Sequence, residues 1–135
     1  MSRISKLTIL GILIVASITV TILLTQKKAA LPDYGITINM YGKVTNPEAQ
    51  SAFVEAYQQG NSGQWQKFTY TVEGDPIIYT VRYNNQPISL EISIDTRQDK
   101  FGIQGIKTYT CQKMIASNKL RLTGCGANND EIVIS

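Results

Sequence analysis

Apolar and polar residues alternate in short runs over most of this chain, the period of half-buried strands rather than of helices. Ile36, Ile38 and Met40 alternate with Thr37, Asn39 and Tyr41. Phe68, Tyr70 and Val72 begin a longer series that continues through Ile77, Tyr79, Val81 and Tyr83 to Ile88, Leu90, Ile92 and Ile94. A two-residue turn at Gly74-Asp75 sets Val72 opposite Ile77, Tyr70 opposite Tyr79 and Phe68 opposite Val81. A turn at Asn84-Asn85 then sets Val81 opposite Ile88 and Tyr79 opposite Leu90. With these pairings every apolar residue of the meander lies on one face, and that shared face is what fixes register. A second hairpin is expected from Ile106–Ile115 and Lys119–Cys125. Symmetry about position 118 pairs Met114 with Leu122 and sets Cys111 opposite Cys125. Glu131–Ile134 reads as a last short strand.

One segment keeps a different period. Asn46-Pro47-Glu48 has a capping residue, a proline suited to the first helical position and an acid in the first turn. Ala49, Ala52, Phe53, Ala56 and Tyr57 follow at three- and four-residue spacing, and Gly60 ends the run. The expected fold is α+β: one helix on an antiparallel sheet of five or six strands, in the order β-α-β-β-β-β-β. Phe53, Tyr57 and the lone Trp65 are expected to serve packing.

The N-terminal residues follow neither period. Leu7–Leu24 is an uncharged stretch of Leu, Ile and Val with a few Thr and Ser. As a helix it is about 27 Å long, close to the roughly 30 Å of a bilayer core. Residues 1–26 are therefore expected to form a single transmembrane anchor, with 27–35 as linker and 36–135 as one domain. The alternative is a cleaved signal peptide, against which stands the lack of a small-x-small cleavage site after the apolar run. No Cys lies in the first 30 residues to carry a lipid. A short basic N-terminus ahead of a long domain predicts that the domain lies outside the cytoplasm, although Lys27 and Lys28 leave only a slight charge asymmetry.

Charge changes the picture only once it is divided. The net charge is +3, but Arg3, Lys6, Lys27 and Lys28 flank the apolar stretch. The rest carries nine basic against ten acidic residues, so no nucleic-acid partner is expected. There is no His, which removes His-based acid-base catalysis, His-activated nucleophiles and most zinc and haem sites. No cofactor motif and no metal-ligand spacing is present. Asp95-x-Arg97-x-Asp99 lacks the third-position ligand and sixth-position Gly of a calcium loop. The two Cys have two readings. Outside the cytoplasm they form a structural disulfide; a reactive thiol would instead require a group that lowers its pKa.

The remaining candidates are polar ends. Glu73 and Asp75 lie in one turn; Asp95, Arg97, Asp99 and Lys100 lie in another. Together they form the candidate binding surface for a protein or small-molecule ligand. A pairing of Glu73 with Asp95 for acid-base hydrolysis is a second reading, and a role as accessory subunit of a membrane complex is a third.

Several spaced segments carry a resemblance. Tyr70-Thr71-Val72-Glu73-Gly74-Asp75-Pro76-Ile77 resembles a Tyr-Thr-x-Glu-Gly-Asp-Pro-Ile signature. Asn39–Asn46, the Arg97-x-Asp99-x-Phe101-Gly102 loop and Leu122-Thr123-Gly124-Cys125 follow it in kind. Together they are similar to an uncharacterised family of small exported domains of Gram-positive bacilli, usually lipid-anchored, known only as a domain of unknown function. The resemblance spans residues 36–135. It implies an exported domain with paired cysteines and no assigned activity. The bare apolar stretch departs from the family's lipid-anchoring signal. The expected role is a membrane-tethered, extracytoplasmic binding domain of the bacterial cell envelope, without catalytic residues.

Overall fold

The computed structural model describes residues 30–117 and 119–134, so the expected anchor lies outside the described residues. Among those that are described, no helix is long and apolar enough to cross a membrane. Strands β1 (Asp33–Met40) and β2 (Lys43–Thr45) form a hairpin, followed by helix α1 (Pro47–Gln58). Then come β3 (Gly63–Tyr70), β4 (Pro76–Asn85), β5 (Ile88–Asp95) and β6 (Ile106–Cys111). Three short strands complete the chain: β7 (Lys113–Ala116), β8 (Leu120–Cys125) and β9 (Asp130–Ile134). Six strands make one sheet in the order β2-β1-β3-β4-β5-β6, and the last three make a separate sheet in the order β7-β8-β9. The fold is α+β, as the patterning predicts, but the sheet is mixed. Strands β1 and β3 are parallel, because α1 carries the chain back along the sheet between them.

The helix starts in a way the sequence does not suggest. Asn46 sits in the left-handed region at φ 55 and makes no side-chain cap. Its amide instead donates to the Ile36 carbonyl oxygen at 2.9 Å, and its own carbonyl accepts from the Thr37 hydroxyl at 2.9 Å. Asn46 therefore pins the helix to β1 rather than capping it. The other end is regular: Gly60 N donates to Tyr57 O and Asn61 N to Ala56 O, a Schellman closure with Gly60 at positive φ.

The register corrects the expected meander. Val81 faces Trp65 and Ile92, not Phe68 and Ile88; Tyr79 faces Lys67 and Ile94, not Tyr70 and Leu90. Two turns account for the change. Thr71–Asp75 is a five-residue turn closed by Thr71 N donating to Asp75 O and Gly74 N to Thr71 O. The next turn is at Gln86-Pro87, after the Asn85–Ile88 pair, and not at Asn84-Asn85. The first shift is odd, so it turns Phe68 and Tyr70 to the outer face and leaves Val72 outside the strand. The second is even, so β5 keeps Leu90 and Ile92 inward. The expected continuous strand Ile106–Ile115 also divides at Gln112, its first half joining the large sheet and its second the small one. The symmetry about 118 holds: Met114 pairs with Leu122.

The inner face of the large sheet is covered by α1 and the small sheet together. Trp65, Val81, Leu90 and Ile92 pack with Phe53 of the helix and with Met114, Leu120, Leu122 and Ile134. The two covering elements meet where Met114 N donates to the Tyr57 hydroxyl at 3.1 Å. A disulfide joins Cys111, ending β6, to Cys125, ending β8, and so ties the sheets together. The structural reading of the cysteines is thus the one realised.

Two inward positions, Thr37 and Lys67, are polar. Lys67 is buried opposite Tyr79, and burial pushes its ammonium below the ordinary lysine value. In the window between that lowered value and the ordinary one the unfolded chain binds more protons than the folded chain, so stability rises with pH there. Lys67→Met is expected to abolish that rise, which chemical unfolding of both proteins at neutral and alkaline pH measures.

Candidate functional site

The parallel placement of β1 on β3 brings three connections to one end of the large sheet. They are the Tyr41-Gly42 turn, the Thr71–Asp75 turn and the loop Thr96–Gly105. The polypeptide before β1 enters at the other end of the sheet, where Asp33 pairs with Gln64.

Asp75 organises this end. It is buried, with one carboxylate oxygen accepting from Lys100 N at 3.0 Å and the other 3.5 Å from Lys100 Nζ. The Thr71–Asp75 turn is thereby bolted to the long loop. The loop is wired internally as well. Asp99 Oδ1 accepts from the backbone N–H of Phe101 and Gly102, and Thr96 donates its hydroxyl to Ile103 O at 2.7 Å. Asp95 takes Arg97 in a two-pronged ion pair at 2.8–3.2 Å. Those bonds hold the Asp95 carboxyl below the usual carboxylate range and push the Arg97 guanidinium upward. Such an exposed pair sets loop shape more than it adds stability.

The structure thus places all six sequence-derived candidates at one end but in different roles. Asp75 and Lys100 meet. Asp95 and Arg97 meet only each other, and Asp99 serves its own loop. Glu73 is exposed and makes no hydrogen bond or ion pair among the described residues, with Asp95 or otherwise. Asp75→Asn is expected to weaken the bolt, costing about 1–2 kcal/mol. Amide hydrogen exchange should then speed up across residues 96–105 while the core of β4 and β5 stays protected.

Beside exposed Glu73, this end offers four large apolar side chains outward. Val72 is 92% exposed, Ile103 84%, Phe101 78% and Tyr41 68%. Sequence reasoning missed these four. Alternation places Val72 on the core face, and the candidates in the second turn end at Lys100, short of Phe101 and Ile103. Tyr41 carries a further signal. It occupies the first central position of a tight hairpin turn at φ 53, followed by Gly42 at φ 89. That geometry ordinarily selects Asn, Asp or Gly, so a tyrosine there is held in an unfavourable conformation. Its hydroxyl lies near Gly74, 3.6 Å from where a Cβ would stand, which joins the first turn to the second. Met40, Ile36 and Ile106 are exposed as well, on the strands of the large sheet.

Fold and surface together define a small disulfide-linked α+β domain with an ordered, apolar loop end. Residues 36–123 match the family described as a domain of unknown function, DUF4362, and the chain belongs to that family. No curated protein and no solved structure matches it.

Proposed function

We propose that this protein is an extracytoplasmic interaction domain, tethered to the cell membrane by its N-terminal apolar stretch, whose loop end docks a protein partner. The observation that carries the reading is the gathering of Tyr41, Val72, Phe101 and Ile103, all well exposed, at one end of the sheet, where Asp75 and Lys100 fix the two turns that carry the last three. Side chains of this kind gain stability from being covered, and a group of them gathered on ordered backbone at one end of a domain marks a contact surface. Fixing the loops in advance lowers the ordering cost of association. The two cations of these loops are paired with Asp75 and Asp95, and Glu73 and Asp99 remain as surplus acids, which disfavours anionic lipid headgroups as the partner.

Replacement of Val72, Phe101 and Ile103 together by Ser tests the reading. All three are exposed, so the variant should fold and melt like the parent. The parent, crosslinked in intact cells and purified in detergent, should carry one stoichiometric protein that the triple variant lacks. Equal recovery with both proteins would sink the proposal. So would association of the parent with lipid vesicles alone, or with itself alone.

A further inference from the structure

At the other end of the sheet a groove of about 660 Å³ opens between the C-terminal turn of α1 and the ends of β4, β5 and β6. Its size lies within the usual range for small-ligand sites, about 300–1,000 Å³. One wall is aromatic and aliphatic, from Tyr57, Tyr83 and Leu90, with exposed Ile88 at the rim. Gln58 and Gln112 bring side-chain amides to its rim, the second also donating to Asn129 Oδ1 at 3.3 Å, and the strand segments at Ser89 and Thr110 complete the lining. The wall is built in advance. The two tyrosine rings meet edge to face at 4.9 Å, and the Tyr57 hydroxyl is held by Met114 N.

The lining contains no Asp, Glu, Lys or Arg. A charged ligand would lose hydration there and find no counter-charge, so the occupant is neutral. An extended peptide normally earns its affinity by adding to a free strand edge. The edge beside this groove is already occupied, since Gly126 N donates to Thr110 O at 3.0 Å and Gln112 N to Thr123 O at 2.9 Å. What fits is a molecule with apolar C–H faces for the tyrosine rings and hydroxyl or amide edges for paired donors and acceptors. We infer that this groove binds a neutral oligosaccharide. The inference concerns a different end of the domain from the proposed protein contact and does not depend on it.

Saturation-transfer NMR with the full chain and tri-N-acetylchitotriose as probe tests the inference. Transfer to the sugar ring and acetyl protons is expected. The cationic glucosamine trimer should bind about tenfold more weakly, because its ammonium groups have no partner in the groove. Ile88→Glu places a carboxylate at an exposed rim position, so the fold is preserved while binding of the probe falls by a similar factor. Tyr83→Ala should abolish it, with circular dichroism confirming the fold. The inference is overturned if the probe gives no transfer at millimolar concentration, or if Ile88→Glu binds it as the parent does. Transfer to a capped neutral peptide but not to the sugar would also overturn it.

Discussion

Trp65→Ala is expected to destabilise the domain by about 3–5 kcal/mol, the usual cost of emptying a large buried aromatic site. Trp65 is the largest of the fully buried side chains, and it does two jobs. Its ring stacks on Phe53 of α1 at 6.1 Å, and Tyr34 packs edge-to-face with Phe53 at 6.0 Å. Its indole N–H donates to Thr37 Oγ1 at 2.9 Å, and Thr37 in turn donates to the Asn46 carbonyl. Helix packing and helix start are therefore joined through one residue. Because ordinary domains are stable by only about 5–15 kcal/mol, the variant should sit close to unfolding at ambient temperature. Trp65→Phe separates the two jobs. It keeps most of the packing, loses the hydrogen bond and should cost nearer 1 kcal/mol for that bond, plus a share of lost volume. Urea unfolding followed by far-ultraviolet circular dichroism gives both values; fluorescence does not serve, since Trp65 is the sole tryptophan. Equal, small losses for Ala and Phe would mean that the core closes without the indole.

Loss of the Cys111–Cys125 disulfide is expected to cost about 3 kcal/mol, the loop-entropy value for a bridge spanning 14 residues. The double variant Cys111→Ser, Cys125→Ser is the suitable form, because it leaves no unpaired thiol. Both positions are buried, so part of the loss reflects two hydroxyls placed in the core. The bridge is the covalent tie between the large sheet and the small one, which shares the cover of the inner face with α1. Hydrogen exchange should therefore accelerate first in β7–β9, ahead of β3–β5. Uniform acceleration would show instead that the two sheets unfold as one unit.

How much of this was legible in the sequence depends on which interactions decide each element. The helix was legible in extent because its period, proline and terminal glycine are local signals. Its start at Asn46-Pro47 was legible too; the capping bond was not realised, because the Asn46 amide is committed to Ile36, ten residues away, rather than to the helix amides. The Cys111–Cys125 opposition and the Met114–Leu122 pair were legible because a short hairpin constrains its own register. The Phe68–Ile77 register was not. It hinged on whether the first turn held two residues or five, and alternation alone accepts either. The deciding bonds involve Asp75, whose carboxylate reaches a loop that follows by twenty-five residues. The parallel β1–β3 pair escaped for the same reason: the helix between them reads locally as a helix, not as a crossover.

The candidate site was legible as a place and not as a surface. Its charged residues do gather at one end, but Asp75, Asp95 and Asp99 are engaged by Lys100, Arg97 and backbone amides. Solvent meets Tyr41, Val72, Phe101 and Ile103 instead. Apolar residues inside turns were the available signal. A valine between Thr71 and Glu73 reads as strand when the turn is short and as contact surface when it is long.

Site-specific photocrosslinking in intact cells tests the central claim, that the loop end is the contact surface, most directly. A benzophenone side chain in place of Phe101 should yield one discrete protein adduct, and the same group in place of Lys119, exposed beyond β7, should yield none. Adducts of equal pattern from both positions, or none from position 101, would contradict the account.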